Sequence, residues 1–346
     1  MISAWRDAPL LGACLEALHR SQATTPYEVL VACNEPTVDL LRWLDHLASG
    51  VKVVSFPVNR GFGGALNEAV RHARGELLVL LNDDTVVAEG WLDALVAAID
   101  DEPTAGAVGS RVLAPDGTAR EDGTVLWSDG SVTLIDGYYR AIPPPPRRVR
   151  RVDYCSAVSL LVRTSTWHEV GGFDEGYYPA YYEDVDLCLK IASAGQSVLY
   201  QPESVVRHEQ GASSSERYRV YLRNRNRRRL MARWGPLLAE RPPPDPHNPS
   251  AVAAALRLAA ERPPSAGTPP LLPDEAPPST ETAREHYLRK ELDVAQEYAA
   301  FLEAELTSVE SSVMRPTRKW LGDRVKSVLR REPGLYRAAT RLRRRP

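Results

Sequence analysis

Three strand-like runs, Tyr27–Ala32, Val51–Phe56 and Leu77–Leu81, alternate with helical spacing, and this alternation constrains the chain more than any other feature. Leu10, Leu11, Cys14, Leu15 and Leu18 repeat at helical steps, Leu40–Leu47 reads as a second helix, and Ala69, Val70 and Ala73 as a third. Met1–Trp5 reads as a short first strand. Strands that alternate with helices require crossover connections, so an α/β fold with a largely parallel sheet, covered on both faces, is expected. Ligands of such sheets bind beyond the carboxyl ends of the strands. Polar residues just after an apolar run are therefore where chemistry is to be sought.

Two such places follow. After Val51–Phe56 comes Asn59-Arg60-Gly61-Phe62-Gly63-Gly64-Ala65-Leu66-Asn67, where glycines let backbone approach a ligand and free amides at a helix start can face phosphate or sugar oxygens. Close helix packing needs the same glycines. After Leu77–Leu81 comes Asn82-Asp83-Asp84-Thr85, suited to a hard divalent cation held by few protein ligands, with water and phosphate completing its shell. A solvated turn is the alternative.

The densest acidic stretch is Tyr181-Tyr182-Glu183-Asp184-Val185-Asp186-Leu187. Three carboxylates in four positions raise one another's pKa unless a cation, a proton or water intervenes. On a helix Glu183 and Asp186 share a face while Asp184 points elsewhere, so two could support the structure while one faces a cleft as a base. The alternative is a helix start whose acids complement the dipole. Further on, His208 follows the apolar pair Val205-Val206 and so lies at a strand end. Between these, residues 108–153 alternate short β-like runs with Asp-Gly turns, and Pro143–Pro146 with Arg147, Arg148, Arg150 and Arg151 form a stiff basic loop.

The pattern changes after Trp234. Residues 236–281 are rich in proline and alanine and are expected to be a disordered linker, with room for a short helix over Val252–Leu258. Residues 282–314 carry Leu288, Leu292, Ala295, Ala299, Leu302, Leu306, Val309 and Val313 in a heptad seam, which predicts a coiled-coil helix and a homodimer. A helix lying on the catalytic domain is the alternative, favoured by Tyr298 and Phe301. Residues 315–346 hold twelve Lys or Arg against Asp323 and Glu332, a net +10, with Trp320, Leu321, Val325, Val328 and Leu329 as an apolar side. Such a tail suits an anionic membrane surface; no nucleic-acid fold accompanies it.

The whole chain of 346 residues has a net charge of −2, which selects no partner class. Its cysteines (Cys14, Cys33, Cys155, Cys188) form no C-x-x-C pair, as expected of reduced thiols in a cytosol. With no apolar run of roughly 18 residues and no signal peptide, a cytoplasmic protein peripheral to the inner face of the plasma membrane is expected.

Taken in order, Asn59-x-Gly61-Phe62-Gly63, Leu81-Asn82-Asp83-Asp84-Thr85, Gly171-Gly172-Phe173-Asp174-Glu175, Glu183-Asp184-Val185-Asp186 and His208-x-x-Gly211 resemble the family 2 glycosyltransferases, and among them the rhamnosyltransferase-like enzymes of bacterial polysaccharide assembly. The resemblance covers roughly residues 5–235. It implies a GT-A (Rossmann-like) catalytic domain over 1–235, a nucleotide-sugar donor, a divalent metal (Mg²⁺ or Mn²⁺) and inversion. Carried over by residue, it makes Asp184 the general base, Asp84 and His208 metal ligands, and Asn59, Gly61, Asn67, Asn82 and Asp83 donor-side residues. Glu183 and Asp186 support them. Departures are the short first strand, Cys33-Asn34-Glu35 where many members have an Asp, and Ser156-Ala157 where Gly-Ala is common.

The resemblance thus implies an inverting, metal-dependent transferase that moves a sugar such as rhamnose to a hydroxyl of a growing, lipid-linked glycan. A single carboxylate base without a paired nucleophile suits one displacement and inverted stereochemistry. The other reading is a transferase-like scaffold that has lost donor binding and works through its coiled coil.

Overall fold

A computed structural model describes residues 1–5, 8–46, 50–135, 148–209, 214–264 and 282–310, with side chains of 306–310 excepted. The first elements are β1 (Ile2–Ala4), α1 (Ala8–Arg20), β2 (Val29–Asn34), α2 (Val38–Asp45), β3 (Val51–Phe56), α3 (Gly61–Val70) and β4 (Leu77–Asn82). Next come β5 (Thr85–Val87), α4 (Trp91–Asp101), β6 (Ala105–Leu113), β7 (Ala119–Glu121), β8 (Thr124–Leu126) and β9 (Val132–Leu134). β10 (Arg150–Arg151), β11 (Ser159–Arg163), α5 (Thr164–Val170), α6 (Glu183–Ser193), β12 (Ser197–His208), α7 (Glu216–Leu238), α8 (Pro249–Glu261) and α9 (Ala283–Glu310) complete the order.

The main sheet runs β10-β12-β6-β11-β4-β1-β2-β3, with β5 on β12 and β7 on β6. Strands β3, β2, β1, β4, β6 and β12 point the same way, and β11 runs against its neighbours β4 and β6. The short first strand stands at the centre, paired to both β2 and β4. Alternation along β4 explains the two covered faces. Leu78 and Leu80 join Leu66, Trp167, Phe173 and Leu187 beneath α3, α5 and α6, whereas Leu81 joins Leu11, Leu40 and Leu95 beneath α1, α2 and α4.

The segment expected as linker is folded over 236–264. α7 runs on to Leu238, the Pro242 carbonyl accepts from Ser128 N at 3.0 Å, and Arg241 pairs with buried Asp153 at 3.1 Å. Asn248 caps α8, its side chain accepting from Ser250 N and Ala251 N. The reason is the β8–β9 hairpin: Trp127 and Val125 need cover, and Val252, Ala255 and Leu256 supply it. The rest of that segment, 265–281, lies outside the described residues, as do Pro143–Pro146, Arg147, Gly211 and the tail 315–346.

The coiled-coil expectation changes as well. α9 lies on α7 of its own chain, and its buried stripe is Tyr287, Val294, Ala295, Tyr298 and Leu302, with Leu288 and Ala299 only at the margin. Tyrosines decide this: Tyr298 is fully buried, its ring centroid 4.9 Å from Tyr218 and 5.0 Å from Tyr221. Arg225 to Glu297 at 2.6 Å and the Arg217–Glu305 pair border the contact. Among the described residues no helix is long and apolar enough to cross a membrane.

Candidate active site

β4 delivers Asn82, Asp83 and Asp84 at its carboxyl end, and Thr85 closes the turn by donating to the Asn82 carbonyl at 2.6 Å. β5 then pairs with the end of β12, setting Thr85 opposite His208, and Glu209 N donates to the Asp84 carbonyl at 3.0 Å. This antiparallel pairing brings His208 Nε2 to 3.0 Å from Asp84 Oδ1 and 3.5 Å from Asn82 Nδ2. Asp83 turns the other way and accepts from Trp5 N at 3.4 Å. Among the described residues no three His, Cys, Asp or Glu side chains gather into a cage. Asp84 and His208 with the buried, unpartnered Asn82 Oδ1 still form a two- to three-ligand donor set. That set fits a hard cation completed by water and phosphate oxygens.

α6 resolves the crowding of its three acids by giving each a different surrounding. Asp186 is fully buried and closed in by Trp234 Nε1 at 2.7 Å, Tyr177 OH at 3.4 Å, and Lys190 and Arg233 each at 3.5 Å. Glu183 is buried with Oε2 unpartnered, and burial, followed by the Asp184 charge, pushes its carboxyl well above the usual range. A protonated acid there adds no charge. Asp184 alone keeps part of its surface open. Its Oδ1 accepts from Val185 N at 2.8 Å and its Oδ2 from Ala157 N at 3.3 Å, while burial raises its pKa. The next residue, Val158, accepts from Asn82 N at 3.2 Å, so base and cation ligands are joined through one short backbone segment.

The glycine turn differs from the expectation of free amides. Gly61 N donates to Asn59 Oδ1 at 2.9 Å and Phe62 N to the Pro179 carbonyl at 2.8 Å. Gly61 is required here, with φ of 70° and a Cβ that would lie 2.8 Å from the Pro179 oxygen. Asn34 locks the turn: its amide donates to Asn59 Oδ1 at 2.8 Å and to Gly61 O at 3.1 Å, and its oxygen accepts from Arg60 N at 2.7 Å. An Asp could not donate to two oxygens, which accounts for the amide at that place. Asn67 is committed to both backbone groups of Phe173, at 2.9 and 3.0 Å, rather than to a ligand. Of the basic loop, Arg150 sits 4.2 Å over the Tyr200 ring and Arg151 pairs with Glu102 at 3.7 Å.

Glu121, on β7, escaped sequence reading because its neighbours in the chain carry no motif. Burial, and then the Asp184 charge, push its pKa up to about 8 from the model-peptide value of 4.5. The folded protein thus holds a proton that the unfolded chain releases above about pH 4.5. That contribution to stability is complete at lower pH and lost as pH rises through about 8. Melting temperature should therefore fall between pH 6 and 8.5, by about 2–4 °C per kcal/mol for a domain of this size. Glu121→Gln should flatten part of the fall; an unchanged slope in that variant would place the titration elsewhere.

Known proteins resemble this chain in sequence and in fold. Residues 1–148 match the model of glycosyl transferase family 2. N-acetylglucosaminyl-diphospho-decaprenol L-rhamnosyltransferase of Mycobacterium tuberculosis (strain ATCC 25618 / H37Rv) is 30% identical over 217 residues, covering 55% of this chain and 68% of that protein. Rhamnosyltransferase WbbL of Escherichia coli (strain K12) is 27% identical, covering 57% of this chain and 80% of its own. An uncharacterized protein of Sinorhizobium fredii, y4gI, is 27% identical across 65% of this chain, which spans only 26% of its length. Among solved structures, GalNAc-T7 with UDP, GalNAc and Mn²⁺ superposes with a TM-score of 0.52 at 17% identity, covering 68% of this chain and 48% of that one. That likeness is one of fold.

Proposed function

Because the chain belongs to glycosyl transferase family 2, we propose that it moves a rhamnosyl group from a nucleotide sugar to a hydroxyl of a lipid-linked glycan, with inversion. The observation that carries this reading is Asp184, the one open carboxylate of α6, tied through Ala157 and Val158 to the end of β4. Asp184 takes the proton of the acceptor hydroxyl as its oxygen attacks the anomeric carbon. The bond from that carbon to the diphosphate oxygen breaks on the opposite side, and the nucleoside diphosphate leaves with the electron pair. Asp84 and His208 would hold a divalent cation, which would supply neutralisation of charge on the diphosphate. The two backbone amides on Asp184 hold its carboxylate in one orientation, and Glu183, kept protonated, does not repel it.

The tail 315–346 would bring this site to acceptors confined to an anionic surface. The scaffold reading has less to stand on, since the α9 stripe that would pair two chains is buried against α7.

The test is incubation with Mn²⁺, a rhamnose nucleotide and an N-acetylglucosaminyl-diphosphate lipid, with the product identified by mass. Rhamnosylated lipid is expected. No transfer from any of a panel of nucleotide sugars, with the protein folded, would sink the reading. Removing 315–346 should slow transfer only when the acceptor sits in anionic vesicles rather than detergent; equal rates in vesicles would dismiss the tail as anchor.

A further inference from the structure

The loop that leads into α6 is the least relaxed backbone near the site. Tyr181 and Tyr182, immediately before Glu183, have φ of 79° and 75°, a left-handed conformation unfavourable to side chains of that size. Such a loop keeps its shape only if its surroundings determine it. Its carbonyls show how. Those of Tyr177, Ala180 and Tyr181 accept from Asn226 Nδ2 at 3.0, 2.9 and 2.8 Å. Arg225 Nη1 donates to the Tyr178 carbonyl at 3.2 Å and to Asn226 Oδ1 at 2.9 Å. The Pro179 carbonyl accepts from Phe62 N, and that of Tyr182 from Asp186 N at 3.0 Å, the first bond of the helix. Every carbonyl from 177 to 182 thus has a partner, and one fully buried side chain supplies three of them.

We infer that Asn226 is a positioning residue for transfer: by gripping the carbonyls of the 177–182 loop it fixes where α6 begins and hence where Asp184 meets the acceptor hydroxyl. The inference rests on the reading of Asp184 as base. Asn226 touches no reacting atom, and α7 contributes it from outside the strands that build the cleft. The Asn side chain suits this place because its amide donates inward while its oxygen is taken by Arg225. An aspartate would set a charge against three carbonyl oxygens.

Asn226→Ala should lower turnover at saturating substrates by about 10²-fold per folded molecule, the cost of a roughly 1 Å misplacement of a reacting group. The dissociation constant for UDP with Mn²⁺, and for its GDP and dTDP counterparts, should stay within about twofold, since Asp84 and His208 stand on the ends of β4 and β12, which are elements apart from this loop. Folding is followed by thermal unfolding. Should Asn226→Ala fail to fold, Arg225→Met decides, because it removes the Tyr178 contact and the bond to Asn226 Oδ1 and should also lower turnover without changing nucleotide affinity. Unchanged turnover in whichever variant folds overturns the inference, and so does a parallel loss of turnover and affinity. Asp184→Asn is run beside them. Near-normal turnover there fails the reading of the base, whereas an impaired Asp184→Asn with a normal Asn226→Ala fails this inference alone.

Discussion

Asp184→Asn is expected to lower turnover about 10²-fold or more while nucleotide affinity changes little. The substitution keeps the shape and leaves Oδ1 able to accept from Val185 N, but it removes the group that takes the acceptor proton. Affinity should survive because Asp84 and His208, proposed for the diphosphate side, stand on other elements, the end of β4 and the end of β12. The wild-type pH profile carries a second signature. Burial raises the Asp184 pKa, so the base becomes deprotonated at higher pH than an ordinary carboxylate. Turnover should therefore rise with pH through a limb displaced upward from the usual carboxylate range. Measuring steady-state rates and UDP binding on the same preparations checks both. A variant with near-normal turnover would transfer the role to another acid, with Glu121 as the remaining candidate, since Glu183 is buried and Asp186 is closed in by Trp234, Arg233 and Lys190.

Asp84→Ala is expected to abolish metal-dependent stabilisation by nucleoside diphosphate. In the unaltered protein, UDP with Mn²⁺ should raise the melting temperature, and chelator should remove most of the rise. Ligand at a hundred times its dissociation constant stabilises by about 2.7 kcal/mol, well within the reach of thermal unfolding. Asp84 stands at a turn, and its side chain pairs with His208 at 3.0 Å, so its removal should leave the fold intact. His208→Ala should weaken the response less, because Asp84 remains to supply the carboxylate that a hard cation prefers. A full metal response in Asp84→Ala would remove that residue from the cation site.

The parts of the site that were legible in the sequence lie within short stretches. Asn82-Asp83-Asp84 follows an apolar run, and a polar group directly after a buried strand can stand only at its mouth. The unequal burial within Glu183-Asp184-Val185-Asp186 was legible too, because three-residue spacing puts Glu183 and Asp186 on one face of a helix. Asn59 and Asn67 were less so. Composition marks them as polar near a glycine turn, but whether an amide meets a ligand or a backbone depends on what packs over it. Here Asn59 meets Gly61 and Asn67 meets Phe173.

By itself the sequence determined the α/β class, the order of strands and helices from β1 to β4, and the strand ends at which Asp84 and His208 emerge. These follow from local periodicity, since burial on one face dictates spacing along the chain. Only the tertiary structure decided the rest. Glu121, on β7 and 63 positions earlier in the chain, feels the charge of Asp184. Asn226 reaches the 177–182 loop from α7. The 283–310 helix lies on its own α7, where Tyr298 packs between Tyr218 and Tyr221. Pairings of that kind depend on which faces remain uncovered once the sheet has closed, and periodicity along the chain carries no information about them.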